Sequence, residues 1–433
     1  MRFKIFLFAF IAILVLAAVA CSPLKRLLAT PSLLPPTKLP TTAAVSPTPK
    51  KIILPTETVP AATLEPLPAP TLVSFKAAPA HLHPGDPIQL DQITMTSLTE
   101  GWGLSGPDVL VTADGGQTWR EVTPPESLPS GSPDKAYGAF LDKQTAWVVF
   151  FQGNQIAPEA PVWHTTDGGS TWTRSAPLMH QAYGDTVWAE FATLDAKNIW
   201  LMVRGVYVGA GTHFSHDLFR STDGGLTWNS LDGEISDDYT GLAFADASNG
   251  WRTYQTTGAY ASAPPGYAVT TDGGANWEDR QLPPPPETPG LFDQYPYCET
   301  YQPVLLPARS VWMLMGCFDY YSPPHEFTSY LYTSQDGGAT WQTVRLPDKV
   351  LASQDTLLYF DSSHALLLGH DSYLSTDDGH TWKYLSSVTW DGQYSFVDPQ
   401  HGWAVGQLND EGGLVKTTDG GATWILIHPT ISG

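Results

Sequence analysis

Seven aspartates recur in one setting along this 433-residue chain, each near the start of an octet of the form Ser/Thr-x-Asp-Gly-Gly-x-Thr-Trp. They are Asp114, Asp167, Asp223, Asp272, Asp336, Asp377 and Asp419, and their octets end on Trp119, Trp172, Trp228, Trp277, Trp341, Trp382 and Trp424. Carboxylates can do acid–base work, but that chemistry needs two of them about 5–10 Å apart over one bond. An aspartate that returns each time with the same glycines is a turn residue. Its carboxylate accepts turn N–H groups, and the Gly pair supplies the positive φ of a tight hairpin. Two octets vary, with Asn276 in place of Thr and Asp378 in place of the first Gly.

The remaining reactive side chains are few. His213-x-x-His216 with Asp217 has a spacing that could hold a metal, but a loop pair of histidines is more often simply polar, and no metal or cofactor is assigned. Cys298 and Cys317 are the only thiols after residue 21, and outside the cytoplasm they are expected to form a disulfide. Asp293, Glu299, Asp319 and Glu326 are loop acids that nothing in the sequence pairs. No Gly-x-Ser-x-Gly, His-Glu-x-x-His or phosphate-cradling glycine loop occurs. The expectation is a protein without catalytic residues.

Stepping outward from the octets, the spacing of their Trp residues is 53, 56, 49, 64, 41 and 42. A second landmark precedes six of them: Trp102, Trp147, Trp200, Trp251, Trp312 and Trp403, with Leu366 in that place in the sixth unit. Between the landmarks apolar and polar residues alternate, as in half-buried strands. The last unit reads as four strands, around Tyr394-Ser-Phe-Val, Gly402-Trp-Ala-Val-Gly, Gly413-Leu-Val-Lys-Thr and Thr423-Trp-Ile-Leu-Ile. A four-stranded unit cannot bury both faces alone, so seven of them are expected to stack as an all-β, seven-bladed propeller of four-stranded antiparallel blades. The blades fall at 88–125, 134–178, 183–232, 238–283, 300–347, 354–387 and 391–430. Each holds its own four strands, so closure without a strand exchanged between the termini is expected.

The octet resembles the Asp-box (BNR-type repeat) of sialidases, sortilin-type receptors, xyloglucanase-type glycosidases and the photosystem II stability/assembly factor propellers. The pairing of Gly-Trp-Ala-Val-Gly with Thr-x-Asp-Gly-Gly-x-Thr-Trp is most similar to the last group, and the resemblance covers 88–433. It implies a seven-bladed ring and a role in assembling or protecting a membrane complex. Two departures matter. The Phe/Tyr-Arg-Ile-Pro element of sialidases is missing, and the eight Arg of 88–433 form no cluster like the Arg patch that the assembly factors use to meet their partner.

Before the repeats lie two other regions. Residues 1–20 have a basic start at Arg2 and Lys4, then an apolar run ending in Ala18-Val19-Ala20-Cys21. This resembles a bacterial lipoprotein signal, which implies lipidation at Cys21; an uncleaved membrane anchor is the other reading. Either tethers the chain outside the cytoplasmic membrane, at the bacterial cell surface. Residues 21–87, with 15 Pro and 9 Thr, read as a disordered Pro/Thr-rich linker. The formal net charge of −21 divides into +2 on 1–20 and +3 on 21–87, which leaves −26 on 88–433. So acidic a head excludes a nucleic-acid partner.

If the octets mark one rim of a propeller, the loops between second and third strands and the blade-to-blade connections lie on the other. The long, aromatic insertions are there: Tyr254 and Tyr260 in blade 4, Phe292, Tyr295 and Tyr297 between blades 4 and 5, and Phe318, Tyr320 and Tyr321 in blade 5. Tyr-rich loops on a rigid scaffold suit protein or glycan recognition. Tyr295, Tyr320 and Tyr321 are expected to line an exposed concavity, bridged beneath by Cys298–Cys317. The functional expectation is a monomeric, membrane-tethered scaffold that binds a protein or glycan on that face. The alternative is a glycoside-active propeller using the same loops.

Overall fold

In a computed structural model, the description covers residues 73–125, 135–151, 161–178, 186–205, 216–231, 238–255, 264–295, 297–319, 326–408 and 411–433. Seven antiparallel four-stranded blades follow one another along the chain. Blade 1 comprises Gln92–Met95, Gly101–Ser105, Asp108–Thr112 and Thr118–Glu121. Blade 7 comprises Asp391–Phe396, Gly402–Leu408, Glu411–Thr417 and Ile425–Ile427. The first strands of neighbouring blades touch one another, so they line the axis of a seven-bladed β-propeller, and the fourth strands lie outermost. Helix is almost absent; among the described residues the only α-helix is the four-residue Leu291–Gln294.

Between blades the contacts are apolar and repeat with the blades. The second-strand Trp102, Trp147, Trp200 and Trp403 are fully buried. Trp147, Trp200 and Trp403 each donate their indole N–H to the first-glycine carbonyl of the next blade's octet, at 2.8 Å to Gly224, 2.8 Å to Gly273 and 2.9 Å to Gly115. The second glycine of the octet packs against the preceding blade. A Cβ on Gly225 would lie 2.6 Å from the Trp147 ring, and one on Gly169 2.7 Å from Val122. Both glycines also have positive φ (88° and 77°), so conformation and crowding each exclude a side chain. The octet is therefore a hairpin turn and an interblade contact at once.

Two blades depart from the pattern. In blade 5 the first strand is split into Tyr297–Thr300 and Val304–Leu306, both paired to Ser310–Phe318. The upper piece also bridges Gln255 of blade 4 through Glu299, which fuses the two blades into one nine-stranded sheet.

Closure corrects the expectation that the termini exchange no strand. Thr430–Ile431 pairs in parallel with Thr118–Glu121 as a fifth, outer strand of blade 1. Within the span assigned to the linker, Ser74–Lys76 adds an edge strand to Thr171–Pro177 of blade 2. From there an arm crosses blade 1, with Ala78 N–H on Thr123 O, and meets the C-terminus through Gly85 N–H on Ile431 O and Ile431 N–H on Asp86 O. Segments separated in sequence by the whole ring are thus hydrogen-bonded to each other.

Candidate functional site

On the octet rim the seven carboxylates are satisfied by their own turns. In blade 3, Asp223 Oδ1 accepts Ser221 Oγ at 2.8 Å and Thr227 N–H at 3.0 Å, and Oδ2 accepts Thr227 Oγ1 at 2.6 Å. The other octets repeat the scheme. Asn276 keeps it by donating Nδ2–H to Asp272 Oδ2 at 2.7 Å, so this variant is chemically equivalent to Thr. Hydrogen bonds led by the Asn276 and Thr340 side chains hold Asp272 and Asp336 at a pKa of about 2. In Asp114, Asp167, Asp223 and Asp419 burial pulls upward, but the combined turn donors still lower the pKa. Each turn is also docked to its own blade: the first-glycine N–H bonds the turn between strands one and two, as Gly115 does to Thr99 O at 2.8 Å. Asp378 does the same to Ser362 O at a φ of 58°, a conformation that Asp tolerates better than most residues. Carboxylates held in the ionised form near neutral pH and engaged by their own turns are turn staples.

The aromatic loops of the opposite rim pack inward where they are described. Tyr295 is 9% exposed, in a core cluster with Leu282, Leu291, Cys298, Cys317 and Tyr330. This departs from the exposed concavity expected for it, and the reason is local. The connection folds into the helix Leu291–Gln294, whose Leu291 carbonyl accepts the Tyr295 N–H and turns the ring under the loop. Phe292 packs on the same cluster, and Tyr254 lies over Gly266, whose Cβ position it would contact. Tyr297 and Phe318 are half-buried and face each other in register. Cys298 and Cys317, also in register, are joined by a disulfide. Tyr260, Tyr320, Tyr321 and His213 lie outside the described residues. His216 is buried against the Tyr239 ring, with Asp217 buried beside it. Of the loop acids, Glu299 accepts Tyr301 OH at 2.8 Å and Glu326 accepts Tyr295 OH at 3.4 Å.

Further round the same rim, blades 6 and 7 enclose a pocket of about 300 Å³ that sequence reasoning missed. Its polar lining is Lys349, Gln354, Asp355, His370, Asp391 and Tyr394. Lys349 Nζ lies 2.8 Å from Asp371 Oδ2, and His370 Nε2 lies 3.1 Å from Asp391 Oδ1. Burial raises Asp355 to about 6, although the Leu351 N–H bonds it at 3.1 Å. Lys349, followed by the Ser387 hydroxyl, lowers Asp371. Gly369 is what admits the buried acid, since a Cβ there would overlap the Asp355 carboxylate. These residues come from three connections with no motif. The one usable signal is that blade 6 is the shortest unit, its octet Trp following the previous one by 41 residues.

At the axis, one register position repeats. Gln92 pairs with Leu104 and Gln393 with Val405, each two residues before the residue opposite the second-strand Trp. Gln393 bridges to blade 1 through both the N–H (2.8 Å) and carbonyl (3.1 Å) of Ile93. Gln302 grips Leu242 of blade 4 in the same two-handed way, at 3.1 and 2.8 Å. In blade 3 this position is Glu190, paired with Met202, and burial among the inner strands raises its pKa to about 7.

Fold and turns together define the class: a seven-bladed β-propeller. No family model matches the chain. It is 23% identical over 218 residues to a xyloglucanase of a Paenibacillus species, a stretch that is 42% of this chain and 20% of that enzyme's length. The chain thus spans about a fifth of the curated relative it matches. Among solved structures it is similar to "YCF48 bound to D1 peptide", with 17% identity, a TM-score of 0.48, and coverage of 81% of this chain and 98% of that one. It is also similar to YCF48 from Cyanidioschyzon merolae, with 16% identity, a TM-score of 0.43 and coverage of 79% and 98%. A third likeness is the GH74 xyloglucanase from Xanthomonas campestris, with 13% identity, a TM-score of 0.34 and coverage of 82% and 69%. The propeller assignment rests on this chain's own sheets.

Proposed function

We propose that this protein is a non-catalytic binding scaffold, that its octets are structural Asp-boxes, and that its partner docks on the rim opposite them, over blades 4 to 7. One observation supports this reading above others: the octet carboxylates, including Asp167 in the pocket of about 410 Å³ between blades 1 and 2, are satisfied within their turns, whereas the pocket on the other rim sets Lys, His and carboxylate groups side by side outside any repeated turn. Mixed charge at a shallow depression suits a polar protein surface. The head's −26 selects against an anionic partner. We further propose that lipidated Cys21 holds the chain at the outer face of a membrane, with 22–72 as spacer. Among the described residues no helix is long and apolar enough to cross one. Metabolic labelling with a fatty-acid analogue tests this; label retained in Cys21→Ala would reject it.

For the docking face, a photo-crosslinking residue is placed at 370 on one rim and at 275 on the other, in the full chain at its native membrane. A discrete protein adduct from 370 and none from 275 is expected. Equal adducts from both would overturn the assignment of the face.

A second reading, a glycoside-active propeller, is favoured by one feature. Asp355 in the pocket is raised while the neighbouring Asp371, bonded to Lys349, is lowered, as in acid and base pairs pushed apart by their surroundings. The stretch similar to a xyloglucanase agrees with it. Hydrolysis of xyloglucan oligosaccharides by the full chain, lost in Asp355→Asn, would establish this reading and displace the scaffold.

A further inference from the structure

We propose that His81, Asp108 and Glu121 form a binding site for one divalent cation of the zinc or manganese class, which clasps the N-terminal arm onto blade 1. The three residues come from separate elements: the arm, the start of Asp108–Thr112 and the end of Thr118–Glu121. One ligating atom from each lies within 4.8 Å of the others. His81 Nδ1 is 3.0 Å from Glu121 Oε1, and Nε2 is 3.6 Å from Asp108 Oδ2. A single cation takes only one of the two ring nitrogens, and with one nitrogen and one oxygen from each carboxylate the donors stand within 4.8 Å of one another, close to the separations of about 3–4 Å that bonds of about 2.0–2.2 Å give around a small ion.

Asp108 is poorly served otherwise. Asp108 is 8% exposed, and among the described residues its side chain has no hydrogen-bond partner, because 3.6 Å to His81 is too long for one. Glu121 is equally buried, and its Oε2 is fixed by the N–H groups of His81 (3.0 Å) and Leu82 (3.2 Å), which leaves Oε1 turned towards the imidazole. No Lys or Arg among the described residues pairs with either acid. Two buried acids facing one imidazole lack positive charge, and buried charges are normally paired or coordinate metal. The donor set selects the ion: an imidazole nitrogen with carboxylate oxygens suits zinc or manganese, whereas calcium and magnesium favour oxygen alone. His81, with a side chain 63% exposed, provides the entry side.

The test uses the full chain, stripped with chelator and titrated calorimetrically with Zn²⁺ and, separately, Mn²⁺, with Ca²⁺ as control. One saturable equivalent of Zn²⁺ or Mn²⁺ is expected, with affinity at least about tenfold weaker in Asp108→Asn and in His81→Ala. His364→Ala, which alters an exposed His–Asp pair on blade 6, should leave it unchanged. Hydrogen exchange across 78–88 should slow on metal addition in the wild type only. Absence of a saturable equivalent, or equal affinity in both site variants, overturns the proposal. If Asp108→Asn misfolds, His81→Ala decides, since that side chain is largely in solvent.

Discussion

The two rims of this propeller use the same residue type in opposite ways. On the octet rim, aspartate is surrounded by donors from its own turn, and its ionised form is favoured whatever the rest of the ring does. On the other rim, Asp108 and Asp355 are both raised to about 6, chiefly by burial, and their turns supply few donors. The contrast follows from where each carboxylate gets its partners. Local donors arrive with every copy of the repeat, so they make a regular, inert structure. Partners brought by neighbouring blades and chain ends occur once, and groups left short of them remain available for a ligand.

Four experiments can break or sharpen this contrast. The largest effect is expected from Trp403→Ala, which removes a fully buried ring and its bond to Gly115 O; chemical denaturation should show a loss of about 3–5 kcal/mol. A loss below 1 kcal/mol would mean that the interblade contacts do not carry the ring. Next, the double change Cys298→Ala/Cys317→Ala opens a cross-link between residues 19 apart and should cost about 3 kcal/mol in non-reducing denaturation. Dithiothreitol should reproduce that loss in the wild type and have no effect on the double variant.

Asp355→Asn should act with the opposite sign. Its folded pKa lies above the unfolded value, so the native state holds its proton more tightly. Wild-type stability therefore declines as pH rises from about 4 to about 6, and the decline persists above that window. The asparagine variant lacks this decline and should be more stable at pH 7 by about 1–2 kcal/mol, less than the full ionisation difference because the group faces a pocket. A variant less stable than wild type at pH 7 would show that the carboxylate is paired after all. Smallest is Asp223→Ala on the octet rim, at about 1 kcal/mol near neutral pH. The wild-type octets contribute stability above pH 4 that is lost as pH falls through their depressed pKa values, so this variant's deficit should vanish in acid. A deficit unchanged at pH 2 would mean that the turn does not depend on the ionised carboxylate.

What could be read from the sequence was what is local. Asp-Gly-Gly, the following Thr-Trp and the alternating strands carry their geometry with them, so the seven blades and their strand content follow from the repeat. Cys298 and Cys317 could be paired because no other thiol competed. Tyr295 could not be placed, because whether a loop aromatic faces out depends on the path of its loop, and the turn at Leu291–Gln294 sends it inward. The Lys349, Asp355, His370 and Asp391 pocket was invisible for a related reason: its parts come together only when blade 6 is set between its neighbours. The pairing of residue 74 with 173 and of 430 with 118 likewise depends on ring closure, which no window of sequence contains.

That closure has a consequence for how the protein is made. Blade 1 is synthesised first, yet the outer neighbour of its Thr118–Glu121 strand is Thr430–Ile431, two residues before the end. The outer edge of blade 1 therefore stays uncovered until all seven blades and Thr430–Ile431 have been made. Blade 1 waits through the synthesis of the other six blades with an unpaired strand edge, and such edges invite association with other chains.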